Sequence, residues 1–573
     1  MDRIALSEPR RSITRIVLSI AADESSSVAK SLFAIMMCAI ALVSILKIFS
    51  GLSPIWAPWD VFTLLNGAWR IVSGQTPYTE YYNPIGLLAY MPAAVVMRLF
   101  GLSASSIVYG NLFFGAILSV WTWRIGASRL SSAMTFLLSM FIFFLAVSAR
   151  PLGYGITETT YAMIYNRYGY ALLSMLVIEL FVPLRLIFKT RTFGGGFSAG
   201  TLLALLLYCK ITYFFAGLAA LIVYGVAMRP SRTWTAMLCL GFLFVAIGMF
   251  VLFRVNLAAY VQNIDFAARS QSISNRLQQV VRSVKANLLM IAPIYILLVI
   301  SSVPIFRSRQ HITELRGLLK LWAVVIVVTV SGIFLTSSNA SERNDVPIFL
   351  VCFLVILSFL NRNTETNAEN PLSKARLATL SALLILMPIS FGHIMFKDIA
   401  SVIYSAAWNR TELPSLPSGQ RFQSETLFDF VIPGNSDWAT AYWRAKNVPN
   451  RINNGLAMLR EHVDANKRIF CLCYTDPFSF ALGLPPAPGT PVWWDESFSF
   501  SASVYPQQDN LFRHVDLVMI PVFHEYDDGC CKATVTLMQQ IYGPYLEKHF
   551  IEEDRSEYWI LLEKLIAEPI QRN

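Results

Sequence analysis

Residues 31–50 read SLFAIMMCAIALVSILKIFS, and the loop that follows contains Trp56-Ala57-Pro58-Trp59-Asp60. The first stretch is an apolar run. A hydrocarbon core of about 30 Å needs roughly 20 helical residues at 1.5 Å each, which this run supplies. Arg3, Arg10, Arg11, Arg15 and a long polar stretch precede it, so it starts too far into the chain for a cleavable signal and is read as an anchor. Similar runs recur near 105–123, 131–149, 168–188, 197–209, 211–228, 235–253, 287–305, 319–337, 346–360 and 377–396, about eleven spans in all. Composition agrees with that reading. The 573 residues are 55% hydrophobic and 14% charged, where soluble domains carry about 25% charge.

The formal charge of +10 does not mark a nucleic-acid partner, because Lys and Arg lie mostly in short loops between apolar runs, where they set topology. Arg124 and Arg129, then Arg185, Lys189 and Arg191, then Arg229 and Arg232 fall in alternate loops. Arg307, Arg309, Arg316 and Lys320, and later Arg362, Lys374 and Arg376, continue the series. All share a side with the basic N-terminus, which places residues 1–30 in the cytoplasm. An odd number of spans then puts the chain after about residue 397 outside. Ile85–Phe100 (IGLLAYMPAAVVMRLF) is the exception, since counting it as a span would invert the later loops. It is read as a helix lying at the outer interface with Arg98 snorkelling to the headgroups, a short true span being the alternative.

The expected fold is a polytopic α-helical membrane protein of the inner (plasma) membrane. A transmembrane region over 31–397, with its first outer loop at 51–104, is followed by an extracytoplasmic α/β domain over 398–573. From about residue 410 the chain turns polar and Pro-rich (Pro414, Pro417, Pro433, Pro449). Arg468–Tyr474, Val515–Val522 and Tyr558–Leu562 read as strands, with helical patterns at Asn453–Val463 and Ala533–Tyr545 between them. Of eight cysteines, Cys38, Cys209, Cys239 and Cys352 sit in apolar runs and behave as small hydrophobes. Cys471, Cys473, Cys530 and Cys531 lie in the C-terminal domain, where an oxidising compartment favours a bridge between the first pair and the second. A metal at these cysteines is disfavoured, since no His stands at ligand spacing beside them.

Polar residues gather in the first outer loop: Asp60, Asn66, Arg70, Gly74-Gln75-Thr76-Pro77-Tyr78, Glu80 and Tyr81-Tyr82-Asn83-Pro84. An acid directly after the first span, a Gly-x-x-Pro-Tyr motif and an aromatic-Pro run resemble the polytopic GT-C glycosyltransferases. These use polyprenyl-phosphate or polyprenyl-diphosphate sugars and include the protein mannosyltransferases and the lipid A aminoarabinose transferases. The resemblance covers the membrane half, and it implies that the first outer loop carries the essential acid, followed by membrane-parallel helices. Asp60 and the 85–100 segment match both features. Asp60 stands alone, without the adjacent second acid of several branches, so a divalent cation is left open as cofactor. Trp493-Trp494-Asp495 resembles the Trp-Trp-Asp motif of the oligosaccharyltransferases but lacks its Tyr-Gly continuation, and is read as coincidence.

Glycosyl transfer needs a base for the acceptor hydroxyl and cations for the leaving phosphate. Asp60 is the candidate base, with helix capping as the competing reading. Glu158, in Gly155-Ile156-Thr157-Glu158, is a second candidate acid with the same alternative. Arg343, in the short outer loop Ser341–Asp345, and Lys210, which interrupts the apolar stretch Leu202–Ala220, are candidate phosphate ligands. An ionisable group at membrane depth is costly unless paired, and Arg forks and Lys point charges both suit phosphate. Arg343 has an alternative partner in Glu342 or Asp345. Arg167, at the start of another span, and Arg254 are further phosphate candidates. Arg254 opens a basic outer segment with Arg269, Arg276, Arg282 and Lys285 against the single acid Asp265, a face suited to anionic lipid or an acidic glycan. Glu80, Tyr78, Trp493 and Trp494 are the candidate acceptor contacts.

The function expected is transfer of a sugar from a polyprenyl-phosphate carrier to an envelope glycan, lipid or protein acceptor, with membrane lipids as surroundings. A lipid-linked glycan transporter or flippase is the main rival, disfavoured because no repeated halves are found. A non-catalytic subunit of an envelope assembly complex is the other. No Gly-rich phosphate loop appears, which disfavours direct use of a nucleotide. The basic-loop alternation predicts that a reporter active only outside the cytoplasm, fused after Asn573, is active; a signal confined to the cytoplasm overturns the topology.

Overall fold

The computed structural model describes residues 26–52, 57–184, 192–270, 273–307, 312–338, 345–362, 392–412, 421–432, 448–496, 498–523 and 529–565. Six helices among these are long and apolar enough to cross a membrane: Ser27–Phe49, Ser106–Ala127, Ile211–Met228, Arg232–Phe253, Leu277–Val303 and Leu315–Ser337. The chain is a multi-pass α-helical membrane protein. Four more expected runs form helices of 18 residues or fewer, Ser132–Val147, Ile164–Phe181, Thr192–Cys209 and Phe349–Arg362. Ile164–Phe181 is buried along its whole length by its neighbours. The last expected run, near 377–396, lies outside the described residues except for its end, which opens the polar helix His393–Glu412.

Close helix packing rests on glycine where two backbones meet. A Cβ at Gly200 would lie 1.9 Å from the carbonyl oxygen of Leu238, so the Thr192–Cys209 and Arg232–Phe253 helices touch main chain to main chain. The Ile85–Phe100 run folds as a 3-10 turn at Leu87–Ala89 and a ten-residue helix, Met91–Phe100. Ten residues rise only about 15 Å, half of a hydrocarbon core, in line with the expectation that this run does not cross. Arg98, Leu99 and Phe100 are exposed at its end.

The C-terminal domain is built on a four-stranded sheet of β1 (Ile469–Cys471), β2 (Leu517–Pro521), β3 (Phe550–Arg555) and β4 (Trp559–Lys564), in the order β1-β2-β4-β3. β1 and β2 are parallel, while β4 runs antiparallel to both β2 and β3. The helices Val448–His462 and Gly529–His549 accompany it. Three strands match expected runs. β3 was not anticipated, because its sequence FIEEDR shows the exposed acids of an edge strand instead of an apolar alternation. Cys471 and Cys473 are buried with their sulfurs against each other, and neither forms a disulfide among the described residues. The side chains of Cys530 and Cys531, their expected partners, lie outside the described residues.

Two joints hold the site. The first ties the helix Pro58–Val72 to the loop 484–492 of the C-terminal domain. Trp69 Nε1 donates to the Leu484 carbonyl at 2.7 Å, Gln75 Nε2 to Pro486 at 2.6 Å and Asn66 Nδ2 to Val492 at 3.1 Å. Arg70 is buried between them. It donates to Asn66 Oδ1, Gln75 Oε1, the Ala487 carbonyl and Thr490 Oγ1, the last at 2.7 Å, and lies 5.4 Å from the Tyr81 ring centroid. Proline supplies carbonyls without N–H groups, and the Leu484–Ala487 stretch presents three carbonyls to these donors.

The second joint is a buried ion cluster. Asp398, on the His393–Glu412 helix, receives Arg150 at 2.9 Å and Arg167 at 2.8 Å. Arg150 also approaches Asp345 at 3.4 Å, and Arg167 donates to the carbonyls of Arg150 and Leu145. Two guanidiniums balanced by two carboxylates leave no net charge in the interior. Removing one partner of such a set strands the rest. Asp398→Asn is expected to destabilise the fold by about 3–5 kcal/mol, read as a large drop in melting temperature, whereas an unchanged melting temperature would show that the cluster is dispensable.

Candidate active site

Beneath the C-terminal domain, at the ends of the membrane helices, lies a cavity of about 510 Å³ whose wall carries Asp60, Tyr165, Lys210, Tyr474, Trp493 and Asp495 among apolar residues. Distant parts of the chain converge there, among them the helix after the first span, the 84–90 segment, residues 161–165, the break between two helices at Lys210, the helices bearing Ile264, Gln279 and Phe334, and the C-terminal domain.

Asp60 is the third residue of the Pro58–Val72 helix, which starts on Pro58 after Ala57 in the left-handed region (φ 44°). That backbone is unusual for alanine, and it is pinned by Thr160 Oγ1, which donates to the Ala57 carbonyl at 3.0 Å. Tyr161 and Met163, also with positive φ (63° and 52°), continue the same rim. Of these, Tyr161 and Met163 line the cavity itself, and Ala57 opens the helix that carries Asp60. The first turn of a helix favours a negative charge. Burial works against it and prevails, pushing the Asp60 carboxyl from 3.8 up to about 7. No hydrogen bond or ion pair to this carboxyl forms among the described residues, and the helix has no side-chain cap.

Lys210 is the single residue between the helices Thr192–Cys209 and Ile211–Met228, with extended backbone (φ −166°, ψ 134°). The freed Cys209 carbonyl accepts from the Gly86 N–H at 3.2 Å. Gly86 is the residue that allows this approach, since a Cβ there would meet the Tyr208 carbonyl oxygen at 2.1 Å. Lys210 Nζ lies 5.3 Å from the centroid of the Tyr165 ring.

Among the sequence candidates, Asp60, Lys210 and Trp493 meet at this cavity. Glu158 does not line it; its carboxylate accepts from the Gly155 N–H at 2.5 Å within its own turn. Arg167 is engaged in the ion cluster, and Arg254 is exposed at the end of the Arg232–Phe253 helix. Tyr78 is buried against Tyr260, ring centroids 4.5 Å apart, and the Glu80 carboxylate accepts from the Thr76 N–H. Trp494 points into the core of the C-terminal domain, among Phe470, Phe500 and Tyr542. Arg343 lies outside the described residues. Among the described residues no group of three or more His, Cys, Asp or Glu is placed to hold a metal ion. Sequence reasoning missed Asp495, Tyr165 and Tyr474. Only Asp495 carried a signal, in the Trp-Trp-Asp match that was set aside.

No family model matches the chain, and no curated protein does. Two solved structures of ArnT from Cupriavidus metallidurans are similar to it over nearly its full length. ArnT bound to undecaprenyl phosphate is 11% identical with a TM-score of 0.46, covering 94% of this chain and 99% of that one. ArnT in the apo state is 13% identical with a TM-score of 0.42, covering 93% and 98%.

The raised carboxyl has a measurable signature. Folding disfavours the ionised form of Asp60, so its contribution to stability falls as pH rises from about 4 to about 7 and is level above that. Asp60→Asn removes this slope. Its melting temperature should match wild type near pH 4 and exceed it increasingly up to pH 7; an advantage that shrinks with rising pH would mean that Asp60 is held ionised.

Proposed function

We propose that the chain is a GT-C-type membrane glycosyltransferase that moves a sugar from a polyprenyl-phosphate carrier to a hydroxyl acceptor at the outer face of the membrane. The observation that carries this reading is the cavity shared by Asp60 and Lys210 where the helix ends meet the C-terminal domain. A lipid-linked donor needs an opening at membrane level, a cation for its phosphate, and a base within reach of an acceptor from the aqueous side. The helices bearing Gln279 and Phe334 contribute to the same wall, and both contain apolar spans long enough to cross a bilayer. The loop resemblance of the sequence points the same way, and the alternating basic loops put the C-terminal domain outside.

In the reaction the acceptor oxygen forms a bond to the anomeric carbon, the bond from that carbon to the phosphate oxygen breaks, and the lipid phosphate leaves with the electron pair. Asp60 takes the acceptor proton. A carboxyl near 7 is well matched to that work at neutral pH, because it is partly ionised yet basic enough to hold a proton. Lys210 offsets the charge on the departing phosphate, in a site where low dielectric strengthens the contact. Arg343 is the further cation we assign to that phosphate.

Asp60→Asn keeps the shape and removes the base. With a synthetic polyprenyl-phosphate sugar donor, its turnover should fall by about 10²–10⁴-fold and lose the acidic limb near pH 7. Near-normal turnover would end the assignment of Asp60 as base. Lys210→Met should weaken binding of undecaprenyl phosphate by roughly 10- to 150-fold, the worth of a charge-assisted hydrogen bond; unchanged affinity in a folded variant would remove Lys210 from the donor site.

A further inference from the structure

The C-terminal domain closes the cavity with a particular set of groups. Trp493, Asp495 and Phe498 come from one turn, and Tyr474 from the stretch that follows β1. The Tyr474 and Trp493 rings lie side by side, centroids 6.1 Å apart at 44°. The Trp493 indole N–H is buried and has no acceptor among the described residues. Asp495 is held in place by its backbone. Its N–H donates to Ser499 Oγ at 2.8 Å, and its carbonyl accepts from the Ser499 N–H at 2.9 Å. On either side, the Trp494 N–H donates to the Tyr474 carbonyl at 2.7 Å, and Thr475 Oγ1 to the Val492 carbonyl at 2.8 Å. The Val492 carbonyl also accepts from Asn66, four residues before Arg70 on the helix that carries Asp60. The turn and Asp60 are thus set against each other by one hydrogen-bonded joint. Tyr165 lies near enough to both carboxylates to experience each charge.

An aromatic face, a carboxylate and a buried N–H donor within one wall fit one chemical class well. A pyranose ring offers C–H bonds to an aromatic face, hydroxyl donors to a carboxylate, and oxygens to an indole N–H. An acyl chain would leave the buried Trp493 N–H without an acceptor, at a cost in free energy. We propose that Trp493, Asp495 and Tyr474 form a sugar-ring subsite that faces Asp60 across the cavity, so that the C-terminal domain reads a carbohydrate. This rests on the glycosyltransferase reading and deepens it, since the ring belongs either to the acceptor or to the donor's own sugar.

The test is binding, not turnover. Full-length protein in lipid nanodiscs is mixed with methyl pyranosides of gluco, galacto and manno configuration, and saturation transfer to the ring protons is recorded by NMR. Wild type should saturate at least one of them. Trp493→Ala and Asp495→Asn should each weaken that binding by about tenfold or more, while Trp493→Phe, which keeps an aromatic face, retains most of it. Melting temperatures show whether each variant is folded. Displacement of the pyranoside by a polyprenyl-phosphate hexose, but not by undecaprenyl phosphate, assigns the subsite to the donor sugar; simultaneous binding of both assigns it to the acceptor. A protein that binds undecaprenyl phosphate but no pyranoside, or whose pyranoside binding ignores both variants, overturns the subsite and leaves the enzyme reading standing. Failure to bind undecaprenyl phosphate strikes the enzyme reading itself.

Discussion

Everything around the cavity depends on one buried guanidinium. Arg70 sits on the helix that carries Asp60 and reaches side-chain and main-chain oxygens on both sides of the joint with the C-terminal domain. Burial lowers its pKa to about 10, partly offset by the charge of Asp476, so it is still a cation at neutral pH. Asp476 is in turn fixed by the N–H groups of Phe478 and Ser479, which it caps. A planar fork of donors bridges two rigid surfaces in a way that a lysine point charge does not. It adds four hydrogen bonds to a joint that Asn66, Trp69 and Gln75, and the backbone pairs Gly489–Glu80 and Val492–Tyr82, also hold.

The same dryness that makes Arg70 a strong link makes Asp60 an uncomfortable acid. A carboxylate in this position gains from the helix N-terminus and loses more by leaving water, which is why its pKa rises. The fold keeps Asp60 at a cost in stability, unlike the Arg150, Arg167, Asp345 and Asp398 set, in which opposite charges lie in direct contact. Charges that are mutually satisfied serve structure.

Much of the architecture was legible in the sequence, because the signals involved are local. Apolar runs of span length, basic loops, and the strand patterns of 468–474, 515–522 and 558–562 are read from neighbouring residues. So was the unusual setting of Asp60 and Lys210, each an ionisable residue out of keeping with its surroundings, and both line the one cavity. What was not legible depends on contacts between distant segments. Arg167 looks identical in sequence whether it meets a phosphate or Asp398, 231 residues away. Glu158 gave no hint that its partner would be the Gly155 N–H. Trp493 and Trp494 are adjacent and chemically the same, yet one faces the cavity and the other the core, a difference set by the turn that Ser499 closes on Asp495. β3 escaped because an edge strand is marked by charge rather than by alternation.

That turn also explains how a small domain can matter to chemistry at the membrane. In the proposed reaction a lipid-linked substrate comes from the side of the helices and a hydroxyl from water, so neither surface alone would enclose both. The cavity is lined from both halves, by Leu64, Ile85, Ile211 and Phe334 on the membrane side and by Trp493 and Asp495 on the other. Excluding water there strengthens each contact to a charged substrate, and it requires that the walls be positioned before the substrate arrives. The strained backbone at Ala57, Tyr161 and Met163 supplies part of that positioning on the membrane side. The hydrogen-bonded loop 484–499 supplies it on the other. Asn66 and Arg70 join the two, one helical turn apart on the same helix, so a shift of the C-terminal domain must move Asp60 with it.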